Sequence, residues 1–171
     1  MASTQEPGTD RGFTSVIQGG APDYKYYTQI RKVKTGVTVY PTNLVSGAGE
    51  TEGEADLAAA GDGGVSFIEV VIRRVGAKDQ DIDTGITAGQ YFESLRPAGM
   101  RFIVALIRAD ESNATELGEP MALEATGHIK KFAYNDTNLS TDTCIDAPNW
   151  LRCAEVTTDV ASTDLVQLVW W

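Results

Sequence analysis

Two stretches of this chain, Val65 to Val75 (VSFIEVVIRRV) and Met100 to Arg108 (MRFIVALIR), are apolar on both faces through their middles and rich in β-branched residues. Such side chains lose rotamer freedom in a helix and pack well on a pleated surface. The longest unbroken apolar run, Phe102 to Ile107, is far too short to cross a bilayer. Both stretches read as central strands of a packed sheet or sandwich, and the remaining elements have to be arranged around them.

The rest of the pattern agrees. Tyr24, Tyr26, Thr28 and Ile30 alternate with Lys25, Tyr27, Gln29 and Arg31, as in a half-buried strand. The apolar phase then moves to Val33, Val37 and Val39, which places a bulge or turn near 32–36. Met121, Leu123 and Ala125 form another alternating run, with Ile129 to Tyr134 expected to continue it past Gly127. Leu165 to Trp171 (LVQLVWW) reads as a last strand. Helical signals are scarce. Thr87 to Leu95 fits two turns with Tyr91, Phe92 and Leu95 on one side, although Gly89 weakens it, and Glu54 to Ala60 fits one short turn. The expected fold is all-β, a β-sandwich or barrel with at most one or two short helices.

Two segments lack the apolar content of a core. Residues 1–22 hold four glycines, two prolines and, after Met1, only Phe13, Val16 and Ile17 as sizeable apolar groups. An extended N-terminal arm is expected there, ahead of a β-rich domain at 23–171, because such a segment cannot offset its own ordering entropy. The arm has no apolar h-region of a secretory signal. Residues 47–64 (GAGETEGEADLAAAGDGG) hold six glycines, five acids and no base, and read as a long solvent-facing loop.

Across 171 residues, 24 acids against 14 bases leave a net charge of -10. That balance argues against nucleic-acid binding, which needs clustered positive charge to neutralise phosphates. The charge is uneven: residues 1–46 carry five bases against three acids, and residues 135–171 carry one base against six acids. The N-terminal part is therefore the better candidate to face an acidic partner, through Arg31, Lys32 and Lys34.

Candidate chemistry is thin. Asp79, Asp81 and Asp83 alternate ahead of Gly85 and present oxygens suited to a hard cation. Yet Thr84 and Gln90 stand where a helix–loop–helix calcium site needs its glycine and its glutamate, so a solvated acidic connection is the plainer account and no metal is assigned. Cys144 and Cys153 flank a turn signal at Pro148-Asn149. A disulfide there would contribute roughly 2–3 kcal/mol, and two free thiols fit equally well. His128, the single histidine, has no nucleophile motif near it and reads as a strand-surface residue. Glu50, Glu52, Glu54 and Asp56 lack the apolar wall that raises one pKa of a glycosidase pair. The sequons at Asn113, Asn135 and Asn138 bear only on a secreted setting. No catalytic residue and no cofactor is expected. Trp170 and Trp171 end the chain on opposite faces of a strand, one inward and Trp171 available to an interface.

An arm (Met1 to Pro22), a β domain built on Val65 to Val75 and Met100 to Arg108, and a terminal Leu165 to Trp171 together resemble, in architecture, the capsid decoration (cement) proteins of tailed bacteriophages. The resemblance implies a non-enzymatic virion protein on the outer capsid surface, bridging subunits of the major capsid protein and often trimeric. It also implies an arm that docks through Phe13, Val16 and Ile17, without contact with membrane or nucleic acid. Many such proteins are shorter, which leaves 47–64 unexplained. Another class fits the same residues: a β-sandwich carbohydrate-binding module on a fibre or cell surface, stacking sugars on Tyr24, Tyr26, Tyr27 or Trp150 beside Asp146. A tail or head–tail junction protein is a further virion alternative.

Overall fold

The computed structural model describes residues 16–19, 28–47, 50, 51, 53–59, 62, 68–77, 82–96, 103–108, 118, 121–123, 126–131, 151–153 and 165–170, with backbone alone at 17–19, 103–108, 130, 131, 151–153 and 165–170. Every regular element among them is a strand: β1 (Ile17–Gly19), β2 (Thr28–Val33), β3 (Thr38–Val39), β4 (Leu44–Ser46), β5 (Glu54–Leu57), β6 (Ile68–Arg74), β7 (Ile86–Thr87), β8 (Tyr91–Leu95), β9 (Ile103–Arg108), β10 (Met121–Leu123), β11 (Ile129–Lys131), β12 (Leu151–Cys153) and β13 (Leu165–Trp170). The fold is all-β, as the strand patterns predict, and its central feature is a closed five-stranded barrel in the order β2-β5-β4-β6-β8. A four-stranded sheet, β1-β9-β13-β12, a β10–β11 hairpin and a two-residue β3–β7 ladder complete it.

The barrel is narrow enough for side chains to fill it. Val33, Val39, Val45, Ala55, Val71, Ile86 and Phe92, all buried, form one apolar cluster, with Val37 and Leu57 packed on it. Closure comes from β8, which pairs antiparallel with both β2 and β6. The β2–β5 contact is parallel, with Lys32 opposite Glu54 and Val33 opposite Ala55. The two apolar stretches that dominate the sequence lie inside their sheets: β6 sits between β4 and β8, and β9 between β1 and β13.

Three expectations change. Residues 54–57 are neither loop nor helical turn but β5, a barrel stave that buries Ala55. Small residues suit that position because the narrow interior leaves little room beside Val33. Tyr91 to Leu95 is β8 rather than a helix, and Gly89, at φ +79°, makes the turn that precedes it. Ile129 does not continue β10; the chain reverses into an antiparallel hairpin that pairs Leu123 with Ile129. Within the expected arm, residues 17–19 form β1, which pairs with β9 through Ile17 and Gly19; the rest of the arm apart from Val16 lies outside the described residues.

Two backbone positions hold the barrel to its surroundings. Leu44 N donates to Gly127 O at 2.8 Å, and Gly127 N donates to Ala58 O at 2.9 Å, which clamps the β10–β11 hairpin turn onto β4 and the end of β5. Gly127 has φ +70°, and a Cβ there would collide with Leu44 O and lie 2.9 Å from Leu57 Cδ2. Between β3 and β4, Asn43 N donates to Tyr40 O at 3.0 Å across Pro41-Thr42, with Thr42 at φ +82°. Proline at the first central position and positive φ at the second define a type II turn. Thr42 occupies the place where glycine is usual, held by its N–H to Val71 O at 2.9 Å.

Deleting Glu54–Leu57 should open the barrel and abolish cooperative thermal unfolding. A Tm within a few degrees of the parent would show that β5 is dispensable. Gly127→Ala should cost at least about 1 kcal/mol in backbone strain alone, lowering Tm by at least roughly 2 °C for a chain of this size.

Candidate functional site

One end of the barrel interior is polar. Glu69 on β6 lies opposite Val45 and shares its inward face, with a side chain only 3 % exposed. A bare carboxylate in such a place would be strongly disfavoured. Three donors compensate it. Arg31 on β2 donates through Nε to Oε2 at 3.1 Å and through Nη2 to Oε1 at 2.6 Å. Arg96, just past β8, donates through Nε and Nη2 to Oε1 at 3.2 and 2.8 Å. Ser94 on β8, fully buried, gives its hydroxyl proton to Oε2. Burial pushes the Glu69 carboxyl up, but the hydrogen bonds from Arg31, Ser94 and Arg96 outweigh it and hold the group below the ordinary 4.5. The hydrogen bond to Glu69 likewise raises Arg31 above its usual value. A carboxylate saturated in this way is a poor base or nucleophile. It is a structural lock joining the three strands at which the barrel closes.

The outer wall over the same strands differs. Cross-strand partners share a face, and on the outside of β2, β8 and β6 the register sets Ile30 beside Glu93 and Glu93 beside Arg73. In the next row Lys32 lies beside Tyr91, and Val75 N donates to Tyr91 O at 2.9 Å. Ile30 is 64 % exposed, Tyr91 54 % and Val75 41 %, with Ile30 and Tyr91 on one diagonal of β2 and β8 and Val75 beside Tyr91 just past β6. The charges around it are paired within the chain: Lys32 Nζ to Glu54 Oε1 at 2.7 Å and Arg73 Nε to Glu93 Oε2 at 2.9 Å. Farther along the same outer face the picture reverses, since Leu44, Val70 and Leu95, neighbours in one cross-strand row, are completely buried.

Measured against these positions, the sequence-derived candidates divide. Arg31, Lys32 and Lys34, the cations expected to face an acidic partner, each meet a carboxylate of the chain itself. Arg31 is committed to Glu69, Lys32 to Glu54, and Lys34 to both Glu50 and Asp56 at 2.7 and 2.8 Å. Those contacts raise the lysine pKa values, chiefly through Glu54 at Lys32 and through Asp56 and then Glu50 at Lys34. Glu50, Glu54 and Asp56, which seemed merely solvated, are thus the lysines' partners. Val16 is 3 % exposed, buried by the chain itself, and Ile17 lies in β1. Asp83 is exposed ahead of β7, and no three His, Cys, Asp or Glu among the described residues are grouped to hold a metal. His128 is half-buried just before β11. Cys153 belongs to β12 by its backbone. Phe13, Asp79, Asp81, Cys144 and Trp171 lie outside the described residues, as do Tyr24, Tyr26, Tyr27, Asp146 and Trp150. The exposed diagonal was missed because Ile30 continues an apolar alternation and Tyr91 sits beside Phe92 in what resembles a helix face. The legible signal was the phase change: with Val33 inward, Ile30 must point out.

Compared with models of known protein families and with curated proteins, the chain matches none.

Glu69→Ala should destabilise by about 3 kcal/mol, the low end for a broken buried pair because the two arginine side chains keep 20 % and 30 % exposure. The pH dependence has a definite sign. A carboxyl whose folded pKa is depressed contributes stability that is complete above its unfolded value near 4.5 and is lost as pH falls through the lower folded value. Denaturant titrations should find a constant gap between parent and Glu69→Gln above about pH 5, closing as the medium is acidified further. A gap unchanged down to pH 2 would mean that the Glu69 carboxyl has the same pKa in the folded and unfolded chain and is not held down by its donors.

Proposed function

We propose that this chain is a non-enzymatic structural protein of a virion, a capsid decoration protein that binds the outer capsid surface and works by protein docking. The observation that carries the reading is the outer barrel wall at Ile30, Tyr91 and Val75, apolar and exposed among charges already paired within the chain. Isolated exposed apolar residues are ordinary, but an aromatic and two β-branched groups aligned across neighbouring strands form a surface suited to another protein. Among the described residues the buried carboxylate, Glu69, is spent on the fold. Support for the virion setting comes from the architectural resemblance: a β-rich domain with a polar N-terminal segment, repeated over many equivalent capsid positions. Modest contacts multiplied in this way bridge subunits by avidity. Partners are the major capsid protein and further copies of this chain.

The test is co-sedimentation of the purified chain with capsids of its virus assembled without it. Saturable binding that raises the temperature of capsid disruption is expected, with occupancy reduced at least tenfold by Tyr91→Glu. A chain that stays in the supernatant at all capsid concentrations overturns the proposal. Saturable glycan binding in the same preparation would favour the carbohydrate-binding alternative.

A further inference from the structure

The charge pattern around the exposed diagonal points to a specific occupant. We infer that the wall of β2 and β8 is a two-fold, self-complementary contact on which a second copy of this chain docks. This rests on the reading above that the wall is a protein-docking surface.

The argument begins with four side chains at the corners of a rectangle. On β2 lie Ile30 and Lys32; opposite them on β8 lie Glu93 and Tyr91. Strand spacing and rise make the rectangle roughly 5 Å by 7 Å. The two apolar groups occupy one diagonal, and the lysine and glutamate occupy the other. A symmetric pair of chains meeting face to face is related by a two-fold axis lying in the contact plane, so each corner meets its own mirror position. Four axes are natural. An axis along the strands sets Ile30 on the copy's Glu93. An axis across them sets Ile30 on Lys32. The Lys32–Glu93 diagonal stacks lysine on lysine and glutamate on glutamate. The Ile30–Tyr91 diagonal sets isoleucine on isoleucine, tyrosine on tyrosine, and each Lys32 near the copy's Glu93. That last arrangement alone joins like with like and opposite charge with opposite. The rectangle is not square, which leaves the charged corners about 3 Å out of register, a gap that a lysine stem absorbs.

The neighbouring charges support the same occupant. Lys32 and Glu93 are each held inside the chain by Glu54 and Arg73, yet their side chains remain 39 % and 28 % exposed, so each can take a second partner. Glu54 and Arg73 would then extend the contact into a network of alternating sign, Glu54–Lys32–Glu93–Arg73, crossing from one chain to the other twice. Chains carrying a net charge of -10 repel one another over most of their surface. A face whose two ion pairs balance is where copies can approach without that penalty. The contact is small and therefore weak in isolation, and becomes significant at the high effective concentration of a repeating assembly.

Sedimentation velocity and cysteine cross-linking test this. The full chain should form a reversible dimer whose dissociation constant rises at least tenfold in Ile30→Glu and in Tyr91→Glu, with melting curves confirming that both variants fold. Under mild oxidation, Ile30→Cys and Tyr91→Cys should each cross-link to themselves, judged against the parent with its native cysteines. Lys32→Cys should cross-link poorly alone but well when mixed with Glu93→Cys. Ile30→Cys and the mixed pair are mild changes, so this arm remains decisive if a glutamate variant does not fold. A single-chain mass up to roughly 1 mM, a trimer, or cross-linking of Lys32→Cys to itself above the mixed pair overturns the inference. If capsid occupancy still falls in Tyr91→Glu while the chain stays monomeric, the wall docks on the capsid protein: the proposed function stands and this contact does not. A dimer of the expected cross-linking pattern that ignores capsids does the reverse.

Discussion

The placement of one carboxylate governs this barrel. Glu69 takes two guanidinium groups and a hydroxyl from β2, β8 and the residue after β8, so a single buried group ties together the strands at which the sheet closes. A buried ion cluster is no guarantee of extra stability, because desolvation offsets much of the attraction and an apolar replacement can do as well. Its consequence here is register. In a strand, a slip of one residue sends every side chain to the opposite face. A slipped β2 would turn Arg31 outward, leave Glu69 short of its strongest donors, and bury Ile30 where Phe92 and Val33 already fill the interior. The lock therefore enforces the exposure of Ile30. The apolar wall outside and the polar cluster inside are two faces of one register.

A second electrostatic arrangement explains how a glycine-rich acidic segment becomes a stave. Glu54 and Asp56 on β5 face Lys32 and Lys34 on and just beyond β2, and Glu50 reaches Lys34 from the preceding turn. Exposed pairs of this kind contribute little individually. Their value lies in discrimination: β2–β5 is the parallel edge of an otherwise antiparallel barrel, and the charges favour this alignment over a shifted one that would oppose like signs. The same residues whose positive charge suggested an external acidic partner find that partner within the chain.

How much was legible follows from what each signal depends on. The β-class, the apolar strands at 68–74 and 103–108, the final strand and the turn after β2 depend on local patterning, and all are present. Strand β5 was not legible because Gly53-Glu54-Ala55-Asp56 has low β propensity, and its place is set by lysines more than 20 residues away in sequence. β8 was masked by spacing: Tyr91, Phe92 and Leu95 fall on one helical face, and only the cross-strand demands of β2 and β6 select the extended form. At the wall, Ile30 and Tyr91 carry no signal individually. Their meaning comes from lying on one diagonal, which requires the β2–β8 register that Glu69 enforces.

The acidity of the whole chain then acquires a role that composition alone does not suggest. Among the described residues, Arg31, Lys32, Lys34, Arg73 and Arg96 each meet a carboxylate of the same chain. The net charge of -10 gives copies of the chain a mutual repulsion that opposes association in random orientations. Around Ile30, Tyr91 and Val75 the described charges are paired and the surface is apolar, so that repulsion is locally reduced. Net repulsion together with the attraction proposed for this wall would select orientation, which neither could do alone. Such selection would suit the decoration role proposed above, in which one site is occupied many times over and aggregation beforehand has to be avoided.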